Sequence, residues 1–170
     1  MSKTLDLSEP APPTIQAARP EDVPAIKKIA AAAGIDAWTE AQYSVEIGRE
    51  DSLVLKALRG GELVGVFLGR IVPGAAERPD AEIYNIAVAA NFRRQGRGYE
   101  LLTNAINVFR SRHCERIWLE VRSSNRTAIR FYENNGFTRA GMRRNFYTNP
   151  VEDAIVMRLT LAGEENTGHD

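Results

Sequence analysis

Between residues 93 and 98 the chain reads Arg-Arg-Gln-Gly-Arg-Gly, which sets three guanidinium groups around two glycines. The glycines remove the Cβ atoms that would hold a ligand away from the backbone. If a helix starts here, its first N–H groups lack intrahelical partners and sit at the positive end of the macrodipole. Such an end suits an anion, phosphate above all. Arg93, Arg94 and Arg97 add charge around it, with Gln95 between them. Two familiar phosphate loops do not fit. The dinucleotide pattern needs a third glycine three positions after Gly98, where Leu101 stands, and no Gly-Lys-Ser/Thr follows. What remains is Arg-x-x-Gly-x-Gly, met by Arg93, Gly96 and Gly98. The same residues also suit a basic turn at an ordinary helix start, so the surroundings must decide.

Those surroundings are regular. Ile83, Ile86 and Val88, with small Ala87, form an apolar strand over 81–88 that runs directly into the loop. Leu101, Leu102, Ala105, Ile106 and Phe109 then share one side of a helix over about 98–113. The next strand, 115–122, alternates: Ile117, Leu119 and Val121 face one way and Trp118, Glu120 and Arg122 the other. After Ser123-Ser124, Asn125 suits the cap of a short helix to about 134, on which Ala128, Ile129 and Tyr132 share a face. Asn135-Gly136 supplies the residue types that end it, and Phe137 starts a further strand.

Upstream, 14–18 is a short strand, and Arg19-Pro20-Glu21-Asp22 opens a helix carrying Val23, Ile26, Ile29, Ala30 and Ala33 and ending at Gly34. Thr39-Glu40-Ala41-Gln42 is a capping-box pattern for a second helix to about Gly48. Two alternating strands, 52–59 and 62–72, flank the hairpin turn Gly60-Gly61, and 151–161 is the last strand. The order β, α, α, three strands, α, β, α, β, β predicts a single α/β domain over 14–161, a mixed sheet covered by helices. Residues 1–13 and 162–170 are expected to be disordered tails.

Composition narrows the function classes. Lys+Arg and Asp+Glu are both 22, so the chain lacks the basic surplus of a protein that coats nucleic acid. No aromatics interleave with Arg93–Arg97, which argues against direct nucleic-acid binding. No apolar run reaches the roughly 18 residues that cross a bilayer, and the polar start carries no signal-type core. A cytoplasmic location, without membrane association, is expected. Cys114 is the single cysteine, so no internal disulfide forms; next to His113 it lacks a third orienting group for nucleophilic catalysis. No metal-ligating set is expected.

With both clusters in view, the chain resembles the GNAT superfamily of acyl-CoA-dependent N-acetyltransferases. Arg93-x-x-Gly96-x-Gly98 matches the first signature, and Asn125-x-x-Ala128-x-x-Phe131-Tyr132-x-x-x-Gly136-Phe137 the second, in the family's order and on the expected elements. Further stretches narrow the likeness: Asn85-Ile86-Ala87-Val88, Trp118-Leu119-Glu120-Val121-Arg122, Arg143-Arg144-Asn145-Phe146-Tyr147, Glu152-Asp153-Ala154 and Trp38-Thr39-Glu40. Together they are similar to the ribosomal-protein-alanine N-acetyltransferases, over about residues 14–161. Tyr99-Glu100, where relatives often carry a small or aliphatic residue, and the compact loop 148–151 depart from the pattern.

The resemblance implies a mostly antiparallel seven-stranded GNAT sheet with about four helices, and acetyl-CoA as the acyl donor. It implies that Ile86, Ala87, Val88, Arg93, Arg94, Gln95, Gly96, Arg97, Gly98, Asn125 and Tyr132 bind coenzyme A. Glu120 is expected to be the general base, acting through water, since one modest base suffices for an α-amine of ordinary pKa about 8; otherwise it is a solvated glutamate on a polar strand face. Tyr132 is expected to protonate the leaving sulfur; otherwise it is a core aromatic. The oxyanion is expected at a backbone N–H near Val88, where the family has a bulge. Asn125 either touches the cofactor or only caps its helix. Trp38, Asn85 and Tyr147 are expected to hold the acceptor, with packing the other role open to Tyr147. The expected acceptor is a protein or peptide N-terminus, a ribosomal protein by likeness, and the expected state a monomer or weak dimer. A small amine as acceptor, or an acyl-CoA-binding module without turnover, are the competing readings.

Overall fold

Gly60 and Gly61 both take left-handed backbone conformations (φ 57° and 83°), and the tight hairpin they allow starts the sheet. The computed structural model describes residues 14–35 and 38–161, so the expected tails, 1–13 and 162–170, lie outside the described residues. The strands are β1 (Thr14–Ala17), β2 (Ser52–Arg59), β3 (Glu62–Val72), β4 (Asp80–Val88), β5 (Arg116–Arg122), β6 (Thr138–Thr148) and β7 (Val151–Thr160). The helices are α1 (Val23–Ala32), α2 (Glu40–Ile47), α3 (Arg97–Ser111) and α4 (Arg126–Asn134). A 3-10 turn at Pro20–Asp22 leads into α1, and a second, Ala90–Phe92, follows β4.

The seven strands form one sheet in the order β1-β2-β3-β4-β5-β7-β6. Only β4 and β5 are parallel, as a strand–helix–strand crossover through α3 requires. Both faces are covered. On one, α3 and α4 lie over Phe67, Ile83, Ile117, Leu119 and Met157, and α3 contributes Leu101, Leu102, Ala105 and Phe109. On the other, Val23, Ile26 and Ile29 of α1 and Tyr43 of α2 cover Val54, Val66, Leu68 and Ala87. Each large aliphatic or aromatic side chain so buried contributes about 1.5–3 kcal/mol. This corrects the expected alternation in 52–72: Val54–Ala57 and Val64–Gly69 are buried without a break, because helices cover both faces of β2 and β3.

Polar anchors fix the helices to this core. Thr39 Oγ1 accepts from Gln42 N (3.2 Å) and Gln42 Oε1 from Thr39 N (2.8 Å), the reciprocal cap expected for α2. Lys56 Nζ donates to both carboxylate oxygens of Asp22 (2.9 and 2.7 Å), and Arg70 reaches Glu46 of α2. Glu46 also accepts from the Ser52 hydroxyl at 2.8 Å. At the end of α3, His113 is the left-handed residue (φ 59°) and Cys114 N donates to Phe109 O (3.0 Å). Burial, with help from Asp80, pushes the Cys114 thiol up, which suits a packed core residue.

Candidate active site

The site opens where the sheet comes apart. Strands β4 and β5 pair over only three positions, Ala81–Ile117, Glu82–Trp118 and Ile83–Leu119. Their starts are tied together: Arg116 Nε (3.1 Å) and Trp118 Nε1 (3.0 Å) donate to the Asp80 carboxylate, and Glu115 N donates to Pro79 O (2.8 Å). Beyond Ile83 the strands separate. The cause is in β4, where Gly69 of β3 faces Ile83 but Leu68 faces Asn85, so Tyr84 is an extra residue. This bulge lies four residues before the position expected near Val88. It switches the phase of the strand, so Ala81 and Ile83 pack toward α3, and so do Ile86 and Val88 after it.

The switch decides which backbone groups face the gap. Ala89 N donates to Val64 O (2.8 Å), so by alternation Ala87 and Asn85 also address β3. Ile86 and Val88 therefore turn their N–H and C=O groups toward the gap left by β5. Val88 O is met there by Arg93 Nε at 2.9 Å. Of the three β4 residues expected to bind cofactor, Ala87 differs, with its side chain buried beneath α1 and its backbone addressing β3.

The glycine loop follows at once. Gly96 is the N-cap of α3 with φ 80°, and no side chain caps this end. Helices α2 and α4 are capped by Thr39 and Asn125, the latter accepting from Ala128 N at 3.1 Å. A Cβ on Gly96 would meet nothing within 4 Å, so the space in front of the loop is open. Arg94 is also left-handed (φ 58°). Gln95 is held by Arg59 (3.2 Å) and holds Asn91 O (3.1 Å). Arg97 is fixed rather than mobile: its guanidinium bonds Glu100, and its buried Nε has no partner among the described residues. An uncapped helix start, an orphaned guanidinium N–H and an open backbone cradle together fit a phosphate-bearing cofactor.

A cavity of about 670 Å³ runs from this gap to the α1–α2 loop and the β6–β7 hairpin. It joins Trp38, Asn85, Ile86, Glu120, Asn125, Tyr132 and Tyr147, all expected site residues. The Arg93–Gly98 loop is not part of its wall. A second cavity of about 240 Å³ shares Glu120 and Tyr84 with it.

Tyr132 is 8% exposed, its ring set edge-on between Phe131 (5.2 Å) and Phe137 (5.4 Å). Burial pushes its phenol up, so it keeps its proton. Glu120 bonds Arg143, whose guanidinium lies 4.8 Å over Phe146. Arg143 is well exposed, so this ion pair breaks at little cost. Tyr147 is half-buried beneath Arg122, 4.2 Å from its ring, and its phenol is raised by burial and by Glu120.

Several residues here were assigned no role from the sequence. Tyr84, the bulge residue, packs at a tilt against Trp38 (5.8 Å), which packs at a tilt against Tyr43 (5.8 Å). The three-residue step from Ile83 to Ile86 in a strand of period two was the available signal. Arg122 donates to Asn149 O (3.1 Å), Pro150 O (3.2 Å) and Glu152 (3.2 Å), which fixes the β6–β7 loop over the cavity. Glu152 also accepts from Ser124 N (2.6 Å) and Ser123 Oγ (3.2 Å). Hydrogen bonds from Ser124, then Arg122 and Ser123, hold its carboxyl at about 2. A carboxyl lowered on folding stabilises the fold above its ordinary value of 4.5 and loses that contribution as pH falls toward about 2. Glu152→Gln should therefore lower Tm at neutral pH, with the difference shrinking through that window. A deficit in melting scans that does not change with pH would refute the network's role.

The Acetyltransferase (GNAT) family model matches residues 23–137. The [ribosomal protein bS18]-alanine N-acetyltransferase of Escherichia coli K12 is 34% identical over 151 residues, 88% of this chain and 98% of that protein. The crystal structure of the E. coli ribosomal-protein-S18-alanine N-acetyltransferase superposes with a TM-score of 0.77, covering 90% of this chain and 97% of that one. Ard1 from Thermoplasma volcanium, 27% identical, superposes with a TM-score of 0.78 over 90% of this chain and all of its own. A split β4–β5 pair, an uncapped glycine loop and this agreement along nearly the whole domain lead to one statement: the chain belongs to the GNAT acetyltransferase family.

Proposed function

We propose that this protein acetylates the N-terminal α-amine of a protein, with alanine-starting ribosomal proteins as the acceptor class. The enzyme is an acetyl-CoA-dependent N-acetyltransferase, and the thioester supplies an activated acetyl carbonyl. One observation carries the reading of the acceptor: a single cavity joins Glu120 and Tyr132 to the α1–α2 loop and the β6–β7 hairpin. The 34% identity to the E. coli enzyme, over 88% of this chain, supports the ribosomal-protein class.

The roles follow from placement. Gly96, Arg97 and Gly98 at the start of α3, with Arg93, Arg94 and Gln95, hold the phosphates. Asn125 shapes the wall between β5 and α4 while capping α4. The gap-facing N–H groups of Ile86 and Val88 are the donors available to the acetyl carbonyl oxygen as negative charge develops on it. Glu120 takes a proton from the attacking amine. Tyr132 holds a proton throughout the working pH range and passes it to the leaving sulfur as the C–S bond breaks. Trp38, in the α1–α2 loop, and Tyr147, near the end of β6, flank the acceptor.

An α-amine of pKa about 8 is roughly one-tenth unprotonated at neutral pH, so the base is helpful rather than indispensable. Glu120→Gln should lower kcat/KM about 100-fold at pH 7, the low end for a general base. The loss should shrink as pH rises past the amine's own value; a constant deficit across the pH–rate profile would assign Glu120 another role.

The acceptor is tested by mass spectrometry of peptides incubated with acetyl-CoA. The panel holds Ala-, Ser- and Met-starting peptides and one with a blocked N-terminus and an internal lysine. Acetylation confined to free α-amines, strongest on Ala or Ser, is the expected result. Binding of acetyl-CoA with no peptide modified would transfer the assignment to a small amine or a module without turnover.

A further inference from the structure

Asn85 follows the bulge in β4, and the two ends of its side chain are treated differently. The residue is 4% exposed. Its Nδ2 donates to the hydroxyl of Tyr43 at 3.2 Å, and Tyr43 is fully buried on α2. Its Oδ1 is buried with no hydrogen-bond partner among the described residues, although the residue lines the active-site cavity. A buried carbonyl in this condition is rare in a folded protein and asks for a donor.

The cavity limits what that donor can be. The attacking α-amine already has Glu120, a carboxylate and so the stronger acceptor for a charged or partly charged nitrogen. A neutral amide oxygen near the clustered rings of Trp38, Tyr43 and Tyr84 suits a neutral N–H instead. In a peptide, the next donor after the α-amine is the backbone N–H of residue two. A simple amine has none.

We propose that Asn85 Oδ1 accepts a hydrogen bond from the backbone N–H of the acceptor's second residue, so the enzyme recognises a peptide rather than any primary amine. Tyr43 is the positioning residue: by accepting from Nδ2 it keeps the carbonyl end turned to the acceptor. The proposal rests on the N-terminal reading above and deepens it, because it identifies an atom by which a peptide is distinguished.

The test replaces one atom of the substrate. An Ala-starting peptide is compared with its analogue in which an ester links residues one and two, so that only the second N–H is lost. In the wild-type enzyme the ester should have kcat/KM lower by on the order of ten-fold, the scale of one hydrogen bond to a buried group. In Asn85→Ala the amide peptide should fall by about as much, and the amide-to-ester gap should close to within about two-fold. Tyr43→Phe should narrow the gap while leaving acetyl-CoA affinity unchanged, which a purely structural role would not do. The wild-type comparison needs no variant, and Tyr43→Phe serves if Asn85→Ala does not fold. Equal rates on amide and ester in the wild type would overturn the proposal. So would a full gap persisting in Asn85→Ala that still binds acetyl-CoA. Absence of acetylation on every peptide, with acetyl-CoA bound, would overturn the N-terminal reading itself and is distinct from either result.

Discussion

Tyr132→Phe should reduce kcat by about 10²- to 10⁴-fold, the range for a lost general acid, and leave acetyl-CoA affinity within about two-fold. The separation of the two effects is what the structure leads to expect. The ring sits between Phe131 and Phe137, and phenylalanine preserves that packing. Only the hydroxyl is removed, from a residue that lines the cavity shared with Glu120. Burial keeps the phenol protonated, so at every working pH it donates rather than accepts. It is a weaker acid than a free thiol, so the proton moves as the C–S bond breaks and not before. Steady-state rates beside calorimetric acetyl-CoA titrations check this. Wild-type turnover in the variant would remove Tyr132 from the acid role.

Gly96→Val should raise the acetyl-CoA dissociation constant by about 100-fold or more, a strain-driven loss of the phosphate cradle. Crowding within the protein is not the cause, since a Cβ at Gly96 meets nothing within 4 Å. The cause is the backbone. Gly96 caps α3 at φ 80°, a region that a β-branched residue avoids at a cost of about 1–3 kcal/mol. To escape it the chain must rotate this residue, which turns the first N–H groups of α3 away from a common anion. The open space in front of the loop is also where the phosphates belong, and two added methyl groups would occupy it. Isothermal titration with acetyl-CoA, alongside far-UV circular dichroism to verify the helix, decides the matter. Unchanged affinity would place the phosphates elsewhere.

Much of the scaffold was legible because local rules carried it. The left-handed pair Gly60-Gly61, the reciprocal cap Thr39–Gln42, the Asn125 cap and the helical face Leu101–Phe109 each depend on residues near in sequence. The cluster of Glu120, Tyr132, Asn125, Trp38, Asn85 and Tyr147 around one cavity was reached by family resemblance. What escaped depends on the sheet as a whole. The burial of β2 and β3 on both faces needs helices from two distant parts of the chain. The bulge at Tyr84 is a mismatch of counts between β3 and β4, hinted at by the step from Ile83 to Ile86 but fixed only by the pairing of the two strands. Arg122 reads as one more polar residue on β5, yet it binds a loop 27 and 28 residues away. Arg94 is left-handed although its side chain gives no warning of it; Asn145, of a type that tolerates this conformation, has its N held by Asp153 Oδ1 at 2.8 Å.

The extra residue in β4 has an evolutionary consequence. Without Tyr84, Ile83, Asn85, Ile86, Ala87 and Val88 would alternate without interruption, and every apolar side chain would keep its present face. A single-codon deletion thus leads from this protein to a sheet that can close, with the ladder between β4 and β5 continuing past Leu119. That descendant would exchange the contacts of Tyr84 with Trp38, Arg70 and Glu82 for a longer ladder, and would lose the gap that Ile86 and Val88 face. The inserted residue therefore serves the site at the expense of a continuous ladder, a local rule broken where function needs it.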